Sequence, residues 1–110
     1  MSTKQVIHAT CPECRGPLSE EWINGFREYR CLVGHVYSPK MILQAHSETQ
    51  ETALWGAVVA LEEAVHLVRS AATGFPPPVA ERLGEQAQKK QDQAAAVRRI
   101  LDELERFVTE

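Results

Sequence analysis

The chain has 110 residues, a quarter of them charged and 44% apolar, with a formal net charge of −3. That length accommodates one domain, or one small domain joined to a helical segment, and the composition is that of an ordinary soluble protein. Residues 1–40 carry five Lys/Arg against four Asp/Glu, and residues 41–110 carry seven against eleven. Neither part has the basic excess that nucleic-acid phosphates call for. No apolar run approaches the roughly 20 residues that span a bilayer, so no membrane partner is expected. The opening Met1-Ser2-Thr3-Lys4-Gln5-Val6-Ile7-His8 lacks the apolar core and cleavage site of a secretory signal, and the expected location is cytoplasmic.

All three cysteines fall within the first 31 residues. An odd count without a secretory signal argues against a disulfide framework and leaves metal binding as the better account. Cys11-Pro12-Glu13-Cys14 is followed, after sixteen residues, by Cys31-Leu32-Val33-Gly34-His35. A two-residue gap lets both sulfurs of Cys11 and Cys14 meet one ion. The spacing to the second pair falls within the zinc-ribbon range of about 15–20 residues. Cys11, Cys14, Cys31 and His35 are therefore the expected ligands of one structural Zn²⁺, with Gly16 and Gly34 supplying backbone freedom beside the two knuckles. His8, three residues before Cys11, is the rival fourth ligand, and iron is the competing ion. A thioredoxin-like reading of Cys11 and Cys14 needs a βαβ context that is absent.

Between the knuckles, Leu18–Ile23 and Phe26–Cys31 flank Asn24-Gly25, the strongest short hairpin signal because both turn residues take positive φ. Aromatic and β-branched residues supply the strand preference of a two-stranded ribbon. Forty residues with few aliphatics cannot hold such a ribbon by burial alone, so metal binding is expected to supply much of its folding free energy.

The composition shifts near Ser38-Pro39, giving a zinc ribbon over 1–38 and an antiparallel helical hairpin over 39–110. Ser38 suits the N-cap and Pro39 the first helical position. The first helix is expected over about 39–72, with a break near Ser47. Its apolar stripe is Leu54, Val58, Leu61, Val65, Val68 and Ala72. Thr73-Gly74-Phe75-Pro76-Pro77-Pro78 ends it, with Gly74 suited to a left-handed cap. A second helix is expected over about 79–108, with the seam Ala80, Leu83, Ala87, Lys90, Ala94, Val97, Leu101, Leu104 and Val108, a coiled-coil-like heptad pattern interrupted by Lys90, whose stem can snorkel. The fold class is thus a small α+β protein.

Other residues carry weaker signals. Trp22 and Trp55 read as packing residues, and His46 and His66 as solvated or partly packed. Glu63-x-x-His66 has the spacing of a di-iron bundle ligand pair, but the second helix contains no histidine to complete one. No phosphate loop, nucleophile elbow or Ser/His/Asp set is present, so no enzyme activity is expected.

The run from Cys11 to Leu18, the run from Phe26 to Ser38, and Glu51-Thr52-Ala53-Leu54-Trp55-Gly56-Ala57-Val58-Val59-Ala60-Leu61-Glu62-Glu63 together resemble the C-terminal zinc ribbon and helical extension of some bacterial chemotaxis protein-glutamate methylesterases of the CheB type. The likeness covers most of residues 10–70. It implies a bacterial, signalling-associated accessory module. The methylesterase catalytic domain has no counterpart among these residues, and no catalytic residue carries over. The function expected is a zinc-stabilised interaction module that binds a protein partner or a second copy, giving a homodimer. A zinc-thiolate redox switch and a nucleic-acid-binding ribbon are the alternatives.

Overall fold

The structure is a computed structural model describing residues 4–104. It is a small α+β fold: a four-stranded antiparallel sheet, β1 (Gln5–Thr10), β2 (Pro17–Ile23), β3 (Phe26–Cys31) and β4 (Val36–Tyr37), followed by helices α1 (Pro39–Ala72) and α2 (Pro77–Glu103). The chain divides after Thr49 into two compact units. Among the described residues, no helix is long and apolar enough to cross a membrane.

In the first unit the expected hairpin is the centre of the sheet. Asn24 and Gly25 take φ of 53° and 82°, and Ile23 faces Phe26 across this two-residue turn, whose backbone twist matches that of the strands. The sheet is wider than the two-stranded ribbon expected. β1 joins β2 with Gln5 opposite Glu20 and Val6 opposite Ser19, then loses regular register before Thr10 meets Pro17. β4 adds Tyr37 opposite Tyr29. Leu18 and Cys31 face each other across β2 and β3, so their side chains share one side of the sheet, and with Cys11, Tyr37 and Ile42 they form the buried core of this unit.

Trp22 is not a core residue, although it lies on the same sheet face as Leu18. Four residues along a strand carry it roughly 13 Å from that core. It is half exposed, with the Arg27 guanidinium 4.6 Å from its ring centroid, and Arg27 also pairs with Glu20 at 2.8 Å.

Ser38 caps α1 as expected: its Oγ accepts the Met41 N–H at 3.2 Å and its carbonyl accepts the Ile42 N–H at 2.9 Å. The helix shows no break at Ser47; Thr49 there donates back to the Ala45 carbonyl at 3.0 Å, which needs no interruption of the ladder. The end of α1 differs from expectation. Gly74 is not left-handed; Gly74 and Phe75 donate to the carbonyls of Ala71 and Ala72, three residues back, so a tightened last turn closes the helix.

The second unit is built on the two apolar stripes. Val58, Ala87 and Ala94 are buried, and Leu54, Leu61, Val65, Val68, Ala72, Leu83, Lys90, Val97 and Leu101 are half-buried. Two contacts set the antiparallel register. Arg98 donates to Glu62 at 2.9 Å and Arg69 to Gln91 at 2.9 Å, so seven residues forward on α1 match seven residues back on α2. α2 begins at Pro77, two residues before the expected start, because proline fits the first turn, where its missing N–H has no partner to lose. It ends at Glu103, with Leu104 extended; the expected continuation to Val108 lies outside the described residues. Trp55 is half exposed and not a core residue either; the Arg98 guanidinium lies 5.5 Å from its ring centroid.

Candidate metal centre

Each cysteine pair sits on a tight turn. In the first knuckle the Cys11 N–H donates to the Gly16 carbonyl at 2.7 Å and the Arg15 N–H to the Cys11 carbonyl at 2.8 Å. The left-handed position that lets the chain curl back is taken by Arg15, at φ 66°, and not by Gly16. Gly16 instead runs close beneath Cys14, where an added Cβ would lie 3.4 Å from the Cys14 sulfur. In the second knuckle the Gly34 N–H donates to the Cys31 carbonyl and the Cys31 N–H to the His35 carbonyl, with Gly34 at φ 107°. The His35 N–H points at the Cys31 sulfur, 3.2 Å away.

The hairpin brings the two knuckles together. The donor atoms of Cys11, Cys14, Cys31 and His35 all lie within 4.8 Å of one another, a group able to hold a metal ion. His35 Nδ1 is 3.3 Å from the Cys31 sulfur and 3.6 Å from the Cys11 sulfur. Cys11 and Cys31 are buried, Cys14 is exposed and His35 is half-buried. His8, the rival ligand, lies exposed on β1 outside this group. Glu63 and His66 join no such group among the described residues.

Two residues that sequence reasoning missed complete the surroundings. His35 Nε2 lies 3.0 Å from a Glu13 carboxylate oxygen, so the ring nitrogen facing away from the sulfurs has its own acceptor. A carboxylate there fixes the ring orientation and raises the basicity of the nitrogen that faces the sulfurs. The Tyr37 hydroxyl lies 3.2 Å from the Cys11 sulfur, buried with it. Glu13 is one of the two spacer residues between Cys11 and Cys14, and its position in that motif was the only available signal. Tyr37 gave none.

The electrostatics are those of crowded sulfurs held by N–H and O–H donors. Burial pushes the Cys11 thiol up, but hydrogen bonds from Tyr37 and from the Cys14 and Glu13 backbone outweigh it and bring the thiol down to about 6. Cys31 is also lowered: burial opposes this, and the backbone of His35, Val33 and Gly34 together with Cys14 overcomes it. For Cys14 the Gly16 backbone favours the thiolate, yet burial and the neighbouring Cys31 and Cys11 sulfurs raise it overall. His35 is raised, chiefly by its hydrogen bond to Cys31 and, against burial, by Cys11 and Glu13. Burial and then Cys11 raise the Tyr37 hydroxyl, which keeps it a donor. Anionic sulfur is thus favoured at two positions and resisted at the third by its neighbours. A cation between them removes that conflict.

Comparison of the chain with family models, with curated proteins and with solved structures returns no match.

Proposed function

We propose that the protein is a non-enzymatic interaction module whose first unit is assembled by one structural Zn²⁺ on Cys11, Cys14, Cys31 and His35. The observation that carries this reading is the convergence of the four donor atoms within 4.8 Å, with Glu13 and Tyr37 oriented around them. A tetrahedral zinc with Zn–S near 2.3 Å and Zn–N near 2.0 Å separates sulfur from nitrogen by about 3.5 Å. The Cys31 and Cys11 sulfurs stand 3.3 and 3.6 Å from His35 Nδ1. Four protein donors close the coordination shell and leave no position for substrate, the arrangement of a structural site.

Energetics support the same reading. The aliphatic core of the first unit is Leu18 and Ile42. So small a buried aliphatic core, with Ile7 and Ala9 packed only partly against it, is a weak offset to the ordering of the sheet, and metal binding is the way such small units gain folding free energy.

The interaction role is supported by the apolar side chains of the second unit that its own seam leaves out: Trp55, Val59 and Leu67 are 45%, 50% and 65% exposed. Pairing with a second copy or a protein partner covers them. The association with bacterial signalling rests on the motif resemblance alone. Metal analysis of the purified chain tests the reading: one zinc per chain is expected, lost with Cys14→Ser or chelator. A protein without stoichiometric metal, or with an unchanged fold after chelation, sinks it. Light scattering at micromolar concentration tests the pairing, and a monomer there refutes the homodimer.

One observation favours a redox role beside the structural one. Cys14 is exposed while the sulfurs of Cys11 and Cys31 lie buried within reach. Attack of the Cys14 thiolate on hydrogen peroxide gives a sulfenic acid and hydroxide, and a second thiolate displaces a further hydroxide from it to form a disulfide, expelling the ion. Zinc release at stoichiometric peroxide supports this, and inertness removes it.

A further inference from the structure

On the outer side of the first knuckle lies an open cavity of about 580 Å³ whose polar lining is His8, Thr10, Arg15 and His46. It shares no residue with the four sulfur and nitrogen donors. Three of its side chains carry basic groups, and among the described residues no carboxylate lines it, in a chain whose net charge is −3.

The three basic groups reach the cavity from different parts of the unit. His8 comes from β1, Arg15 from the knuckle and His46 from α1. His46 is fixed in place: its Nε2 donates to the Thr10 carbonyl at 3.0 Å, which leaves Nδ1 as the free ring nitrogen. Arg15 occupies a left-handed φ of 66° that disfavours any side chain by roughly 1–2 kcal/mol relative to glycine. Among the described residues its guanidinium, like those of Arg69, Arg82 and Arg99, has no carboxylate partner.

We propose that this cavity binds a phosphate monoester group. The Arg15 guanidinium fork shares the cavity with two imidazoles that reach it from different elements. That suits the three terminal oxygens of a phosphate monoester better than the two coplanar oxygens of a carboxylate. The site is a single concave cluster and not a basic stripe, which separates it from a surface that tracks a nucleic-acid backbone. The phosphate can be carried by a small molecule or by a phosphorylated side chain of a partner protein; the recognising chemistry is shared. The inference does not depend on which metal fills the neighbouring site.

The test is an NMR titration of the full metal-loaded chain with inorganic phosphate, with chloride at matched ionic strength as control and a phosphoserine peptide as a second arm. Saturable shifts at His8, Arg15 and His46, absent with chloride, are expected. Tighter binding of the phosphopeptide than of inorganic phosphate assigns the group to a partner protein, and equal binding assigns it to a small molecule. Arg15→Gly is expected to weaken phosphate binding at least about ten-fold while the melting midpoint holds or rises, because glycine takes this φ without strain. Should Arg15→Gly lose metal, Arg15→Gln and His8→Ala replace it, with metal content measured alongside. Unchanged phosphate affinity in variants that keep their metal overturns the proposal, as do shifts that chloride reproduces.

Discussion

The two units reach order by different physics. The first has a sheet of four short strands around a core in which two of five buried side chains are cysteines. The second has two helices whose buried positions repeat every three or four residues and are mostly Ala, Val and Leu. On the proposed zinc-bound reading, one draws its cohesion from a few strong, directional bonds to a point; the other spreads it over many weak contacts along a seam. Under that proposal the first is expected to fail all at once when the ion is withdrawn, and the second to erode gradually with each deleted methyl group.

The largest expected effect separates them outright. Chelation of the purified chain should collapse the amide dispersion of residues 5–37 while helical signals from residues within 50–103 persist in the same sample, followed by NMR. Simultaneous loss of both sets would erase the contrast. Next in size, Leu18→Ala removes a fully buried side chain and is expected to cost about 2–5 kcal/mol, appearing as weaker metal affinity under the proposed coupling of folding to zinc binding. Val58→Ala, at an equally buried position of the second unit, is expected to lower the helical melting midpoint and leave metal affinity untouched.

Glu13→Gln sharpens the comparison further. It keeps the fold and the four donors but weakens the acceptor at His35 Nε2, and metal affinity is expected to fall about 10–100-fold by chelator competition. An unchanged affinity would make the Glu13 contact incidental. The smallest effect belongs to the second unit. Arg98→Ala removes an ion pair and a ring contact between half-exposed groups, and a loss of about 0.5–1 kcal/mol is expected in thermal or denaturant melts.

How much of this was legible in the sequence follows the same division. Every described position of the two predicted seams, from Leu54 to Ala72 and from Ala80 to Leu104, is buried or half-buried. Helical periodicity is a local property, and the chain writes it openly. The four donors and the Asn24-Gly25 turn were legible for a related reason: the geometry of each knuckle and turn is set within a few residues. What escaped depends on contacts distant in sequence. β1 and β4 contain the strand-favouring Val6, Ile7, Thr10, Val36 and Tyr37, but what makes them strands is pairing with the free edges of β2 and β3, which no local signal announces. The bond between His46 and the Thr10 carbonyl spans 36 residues. Trp22 and Trp55 were read by type as packing residues, yet each is covered by an arginine and not by the core. Of the glycines expected to free the backbone beside the knuckles, Gly34 does so at φ 107°, whereas in the first knuckle the left-handed position falls to Arg15 and not Gly16; Gly74 ends α1 without one.

The two borders of the sheet carry a consequence for solubility. An open strand edge is a template on which another chain can add, and long, flat, apolar edges seed fibrils. Here one border, β4, is two residues long, and the other, β1, loses its regular register between Val6 and Thr10. Neither offers an uninterrupted row of backbone donors and acceptors to a newcomer. Exposed Val6 and Phe26 thus sit on a sheet that resists polymerising, and a variant that lengthened β4 or smoothed β1 would be the one to watch for amyloid.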